Sequence, residues 1–313
     1  MRLVLAVIAG VVLVPSASAS QLIDRNATNV RLKVSRDGKA MLSYRAHGRS
    51  WDVLAWGAIN ARHPTTARKQ VQFRIDRAGG WGTFGRKLRF RSACQPYDGP
   101  PLVHVVTACK APDGSYWAVQ RWRRRLPNLG FAPWTPEQRA TAIHLSHWSG
   151  PLAELEGYTD WSWNGRFHHI FGRLTYLGRP VHGFRTNNHG ARLDKYGRAV
   201  YLDTFGSRHG AGWRRENSFV THRPTGVFCY TLRARNPLRG GYAYPPGYRG
   251  GARGPGSGLA YRMTVEGPGV TPDVKWQAKG LPAFNPRASA HVGHEAAMNA
   301  KLDLLNDRLC RKH

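Results

Sequence analysis

PLAELEGYTDWSWNGRFHHIFGRLTYLGRPVHGF, residues Pro151–Phe184, is the stretch on which the fold of this chain turns. At its centre stands Asn164-Gly165, a dipeptide whose two positions both tolerate positive φ and which therefore favours a two-residue hairpin turn. A loop that short fixes the register. Trp163 then faces Arg166, Trp161 faces His168, Asp160 faces His169, Thr159 faces Ile170, Gly157 faces Gly172, Glu156 faces Arg173 and Leu155 faces Leu174. One face collects Leu155, Thr159, Trp161, His168, Ile170 and Leu174. The other collects Glu156, Asp160, His169 and Arg173 with opposite charges opposed, the sorting expected of two antiparallel strands.

Working outward, the segment before this hairpin reads as further meander. Asp37-Gly38 closes a three-residue loop that pairs Val34 with Ala40, Leu32 with Leu42 and Val30 with Tyr44. His47-Gly48 closes a second hairpin with Tyr44 facing Trp51, Leu42 facing Val53 and Ala40 facing Ala55. Alternation at Val71, Phe73 and Ile75, then from Leu102 to Cys109 and from Tyr116 to Trp122, continues the pattern around Pro112-Asp113-Gly114. Thr135-Pro136-Glu137-Gln138 has the form of a capping box. It predicts a helix running to about Trp148, with His144, His147 and Trp148 on one side; two histidines at that spacing suit a metal, packing or capping.

Downstream, a tight turn at Gly178-Arg179 would pair Tyr176 with Val181 and Thr175 with His182. Arg198 to Phe205 and Leu259 to Val265 read as strands. Residues 234–258 form a Pro/Gly/Arg/Tyr tract without a core-forming pattern, read as a long loop or flap. Asn285-Pro286 opens a last helix whose Met298, Leu302, Leu305 and Leu309 make one apolar stripe.

At the other end, Arg2, the apolar run Leu3–Val14 and Ser16-Ala17-Ser18-Ala19 have the layout of a secretory signal peptide cleaved after Ala19. No later segment approaches the roughly 18 apolar residues of a transmembrane helix. The exported chain would then be extracytoplasmic and disulfide-bonded, with Cys94 pairing Cys109 and Cys229 pairing Cys310 as the local choice among three connectivities. A 15-residue loop between the first pair is worth roughly 3 kcal/mol. No CxxC is present to suggest redox or zinc chemistry.

The formal charge is +29, with 47 basic against 18 acidic residues. A field of that sign concentrates anionic wall polymer, acidic polysaccharide, nucleic acid or anionic headgroups, although arginine, alanine, glycine and proline also rise together in proteins of GC-rich genomes. There is no GxSxG elbow, HExxH, Walker motif or carboxylate cluster. No cofactor or metal is expected.

Three places are left for chemistry. Asp160 beside His169 has the form of a carboxylate-oriented imidazole, suited to general-base catalysis or to simple charge complementarity. Tyr158, Phe171 and Trp163 around that pair, with Arg173, would make a sugar-stacking platform. The glycine-rich basic loop from Ser207 to Glu216 offers Arg208, His209, Arg214 and Arg215 to a phosphate or sulfate without matching a nucleotide-binding fingerprint. The arginines and tyrosines of the 234–258 tract suit either single-stranded nucleic acid or a solvated flap.

The phrases VLAWGAINAR, CQPYDGPPLVHVVTACKAPDGSYWAVQRW, LPNLGF, IHLSHWSGPLAELE and FHHIFGRLTY are similar to those of a group of exported, uncharacterised actinobacterial proteins, over most of the chain after Ala19. The resemblance implies secretion and a shared fold, and carries no activity or catalytic residue.

The expectation is therefore a mainly β protein of antiparallel meander hairpins, sandwich- or barrel-like, with one internal and one C-terminal helix. Its parts would be a signal peptide (1–19), an N-terminal β domain (20–130), a helical connector (131–150) and a second β domain (151–313), the two halves separate or forming one unit. The expected function is binding of anionic or carbohydrate polymer at the envelope or outside it, the alternative a secreted hydrolase or wall-modifying enzyme using Asp160 and His169.

Overall fold

The structure, a computed structural model, describes residues 20–57, 73–80, 90–123, 140–162, 165, 167–180, 200–207, 210–219, 225–232, 258–265 and 272–305. The signal-like segment, the capping box, Trp163, Arg208, His209, the 234–258 tract, Leu309 and Cys310 lie outside them.

The described strands form four antiparallel sheets stacked as two sandwiches. In the first, β2 (Thr28–Val34), β3 (Ala40–Ala46), β4 (Arg49–Gly57) and β5 (Phe73–Asp76) pair in chain order. They face a sheet ordered β1 (Gln21–Arg25), β8 (Thr141–Trp148), β7 (Tyr116–Arg123) and β6 (Val105–Lys110). Leu42, Tyr44 and Val53 from one sheet meet Trp117, Val119, Ile143 and Leu145 from the other in a single core. The two hairpin registers hold as the sequence predicts, Val34 to Ala40 and Tyr44 to Trp51. The pairing expected for Val30 is broken by a bulge between Thr28 and Arg31, where Asn29 takes a φ of 52°.

The second sandwich has β9 (Glu154–Ser162), β10 (Phe167–Tyr176), β11 (Arg179–Pro180) and β14 (Val227–Leu232) in one sheet. Its partner is ordered β13 (Gly210–Phe219), β12 (Val200–Ser207), β15 (Ala260–Val265) and β16 (Val274–Lys279). Ile170, Leu174, Phe228 and Tyr230 pack on Leu202, Tyr261, Met263 and Val265. The sheets close up over the facing pair Gly157 and Gly172. A Cβ at Gly157 would collide with the side chains of Met263 and Trp276, and one at Gly172 with the carbonyl of Glu156 and the ring of Phe228.

On the opposite face of the β10 sheet lies α1 (Ser289–Leu304), where Leu302, Leu305 and Met298 pack on Phe171 and Val227. The described part of the expected apolar stripe thus packs on the sheet, with Leu302 and Leu305 buried. The helix starts later than Asn285: that residue folds into a turn in which its Oδ1 accepts from Arg287 N–H, and Ala288 is the cap. Among the described strands β9 pairs only with β10, and His294 Nε2 of α1 lies 2.7 Å from its Thr159 carbonyl.

Three further expectations fail. Thr141–Trp148 is a strand between β1 and β7, so the internal helix is absent over its described part and the segment completes the first sandwich rather than connecting two domains. Both faces of this sheet are covered, so residues 142–148 are all buried and the alternation that marks a half-buried strand disappears. The turn after Tyr176 falls on Leu177-Gly178, at φ 52° and 69°, pairing Tyr176 with Arg179 and Thr175 with Pro180. The glycine-rich stretch at 210–219 is strand β13, a hairpin partner of β12, and not a loop.

Within the first sandwich His147 stacks on Trp117 at 3.8 Å, with its Nδ1 3.0 Å from the Gly57 carbonyl and its Nε2 2.8 Å from Ser115 Oγ. Burial pushes its pKa down to about 4, against the smaller opposing pulls of the Gly57 carbonyl and Asp113. A histidine buried neutral lets the unfolded chain bind the extra proton. Its contribution is therefore complete above the unfolded value near 6.5 and is lost as pH falls towards 4. Urea titrations should show roughly 3 kcal/mol lost by pH 4 through this group alone. His147→Gln should flatten that part of the profile, and an unchanged slope in the variant would contradict it.

Candidate functional site

Asp160 and His169 are direct cross-strand neighbours, in the register that the Asn164-Gly165 turn dictates. Strand alternation puts them on the face shared by Tyr158 and Phe171, and α1 covers that face. Asp160 is 1% exposed and His169 8%, so the pair is buried rather than on an open sheet. Further along, Arg173 Nη2 meets Glu156 Oε1 at 3.4 Å, and Lys301 Nζ stands 5.1 Å over the Tyr158 ring, which itself lies 5.3 Å from Phe171. Tyr158 is therefore committed to the helix contact and is not a free stacking surface.

The helix adds His291, His294 and Glu295, which the sequence presents as potential ligands on adjoining positions but in an order that fits neither the zincin motif nor its inverted form. His291 stacks on Trp161 at 4.6 Å and His294 meets the same indole edge-on at 5.3 Å, while Trp161 Nε1 donates to the Pro282 carbonyl at 2.9 Å. Glu295, the next residue along, is buried. Among the described residues no group of three His, Cys, Asp or Glu is placed to hold a metal ion. The i, i+3, i+4 spacing of His291, His294 and Glu295 with the apolar stripe was the available signal for a sheet-facing polar segment.

The basic residues fall elsewhere. Arg214 and Arg215 stand in β13, opposite Thr204 and Asp203 of β12. The β12–β15 sheet turns Leu202, Tyr261 and Met263 to the core and Asp203, Phe205 and Arg262 away from it. On that outer face Arg262 Nε and Nη2 lie 3.1 and 3.0 Å from Asp203 Oδ2, and the guanidinium sits 4.5 Å over the Trp213 ring. Phe205, 38% exposed, lies 5.2 Å from Trp213. Lys275, Gln277 and Lys279 of β16 pair with Thr264, Arg262 and Ala260 and so share this face.

A cation held flat by a carboxylate against an indole, with lysines beside it, suits an anionic group carried next to a flat ring. His104 registers the local field. Burial first, then the positive Lys275 and Arg262, hold its imidazole below the usual value, with Asp203 opposing. Alternation marks Asp203 and Phe205 on one side of β12 and Arg262 on one side of β15, without joining the two strands.

Cys94 and Cys109 are joined as expected; Cys229 is also in a disulfide. No helix of the described residues is long and apolar enough to cross a membrane. No family model matches this chain, and no curated protein or solved structure matches it.

Proposed function

We propose that this is an exported protein of the cell envelope or extracellular space that binds anionic or carbohydrate polymer through a basic surface. The supporting observation is an asymmetry of burial. Asp160, Asp203, Asp273 and Glu295 are buried, whereas no lysine or arginine whose side chain is described is. Starting from 47 basic and 18 acidic residues, folding withdraws carboxylates and leaves the cations outside, so the surface field is more one-signed than the composition. The outer face of Arg262, Lys275 and Lys279, with Trp213 and Phe205, offers charge and stacking together. Export rests on the signal-like segment and on the disulfides, which persist in oxidising compartments; membership of the exported actinobacterial group belongs to the same reading.

The test is retention on purified anionic wall polymer and on its charge-neutralised form. Raising salt from 50 to 200 mM should cut affinity at least about tenfold, as release of condensed counterions requires. Replacing Arg262, Lys275 and Lys279 together by alanine should cost about tenfold more at low salt. Asp160→Asn should leave retention unchanged. Retention that ignores both salt and the triple replacement would overturn the proposal, and a hydrolytic turnover lost in Asp160→Asn would favour the enzyme built on that pair.

A further inference from the structure

Ser20 is fully buried, at 0% exposure, and it begins the described chain immediately after the Ala17-Ser18-Ala19 segment. Its hydroxyl lies 2.9 Å from Asp273 Oδ1 and 3.1 Å from His144 Nδ1. A serine hydroxyl has one proton to give. Donation to the carboxylate leaves its oxygen to accept from His144 Nδ1–H, forming a relay from His144 through Ser20 to Asp273. His144 and Asp273 are themselves 1% and 2% exposed.

The relay sits at the seam between the two sandwiches. His144 belongs to β8 of the first, and Asp273 immediately precedes β16 of the second. Beside it Gln120 of β7 accepts from Asp273 N–H at 2.9 Å and donates to the Asp273 carbonyl at 3.3 Å. The first residue after the expected cleavage point is thus built into the joint that holds the halves together.

We propose that processing between Ala19 and Ser20 completes this joint, the new α-ammonium of Ser20 becoming a counter-ion of the buried Asp273 carboxylate. By covalent geometry the α-nitrogen lies within about 4 Å of its own Oγ, and hence within about 7 Å of Asp273 Oδ1. In the uncleaved chain that nitrogen is a neutral peptide N–H; hydrolysis of the Ala19–Ser20 bond adds water across it and leaves a protonated amine beside the acid. Coulomb attraction at that separation is strong in a buried site. Cleavage would therefore act as a lock, with the precursor held short of full stability and the processed chain fixed in its two-sandwich form. The inference rests on the export reading for its setting.

The experiment separates the two ideas. Full chains beginning at Ser20, or at Ala17 so that Ala-Ser-Ala precedes Ser20, are prepared from a cleavable fusion with disulfides formed. Each is made with and without the substitution Asp273→Asn and unfolded in urea at pH 7. The Ser20 start should raise the folding equilibrium constant about tenfold over the extended chain, the size of an ion-pair attraction at that separation, and Asp273→Asn should abolish the difference. Equal stability of the two starts overturns the proposal, as does a difference that survives Asp273→Asn. Should the Asp273→Asn chains fail to fold, periodate decides the matter, because it cleaves the 1,2-amino alcohol of an N-terminal serine. The folded Ser20 chain should be protected and its urea-unfolded form oxidised, whereas equal rates overturn the proposal. Intact mass of the exported protein tests separately whether cells cut after Ala19, so a wrong cleavage point would not be mistaken for a missing ion pair.

Discussion

Gly172→Val should leave the chain unable to fold. Gly172 occupies β10, which is paired on one side with β9 and on the other with β14, so its backbone has no direction in which to retreat. A Cβ there would collide with the carbonyl of Glu156 and the ring of Phe228, both part of the second sandwich. Valine adds two further methyl groups in the same place. Overpacking of rigid surroundings costs about 1–3 kcal/mol where side chains can yield; here the obstacle is a neighbouring backbone, and the loss should exceed about 4 kcal/mol. Near-ultraviolet circular dichroism and refolding yield are the readouts. Gly293→Ala provides the opposite control: that glycine is inside α1, nothing lies within 4 Å of its Cβ position, and the exchange should stabilise the protein by up to about 1 kcal/mol. A folded Gly172→Val protein would mean that β9, β10 and β14 are not paired as described.

Opening the Cys94–Cys109 disulfide should cost about 3 kcal/mol, the chain-entropy value for a loop of this length. The bond fixes more than a loop. It sits beside the bridge in which Gln95 and Lys110 exchange backbone hydrogen bonds of 2.9 and 3.1 Å, and Cys109 is buried in the first sandwich core. Replacing both cysteines by serine should lower the urea midpoint accordingly and loosen the segment ahead of β6, seen as faster amide exchange at Gln95 and Lys110. Mild reduction of the native chain should act in the same direction. An unchanged midpoint in the double variant would show that β6 is held without the bond.

What the sequence revealed, and what it hid, follows from how each strand is covered. The hairpins around Gly165, Gly38 and Gly48 were legible because a glycine at positive φ marks the turn and one-sided burial imposes period two on its flanks. β8 was not, because a sheet covered on both faces needs no polar side, and His144 and His147, read as one helical stripe, in fact face opposite ways towards Trp122 and Trp117. The turn at Leu177-Gly178 was misplaced by one residue since leucine rarely takes positive φ. Glycines at 210 and 212 suggested a loop, yet they stand at the hairpin end of β13, where the pairing with β12 shifts between Phe205 and Ser207 and glycine suits such a bulge.

The candidate site divides in the same way. Asp160 opposite His169 could be written down from the turn alone, but their burial could not, and α1, which packs on the same sheet face, follows more than a hundred residues later. The platform of Arg262 on Trp213 joins strands separated by the 234–258 tract, so only tertiary structure brings it together.

The Thr159 carbonyl taken up by His294 has a consequence for how this protein behaves in a crowd. Among the described strands β9 borders its sheet, and a bare strand margin is a template on which another chain can extend the sheet without limit. By laying a helix along that margin and engaging an outward carbonyl, the C-terminal segment keeps the molecule from polymerising through it. Chains that lose this segment, or meet one another before it has docked, would be the ones to form fibrous aggregates.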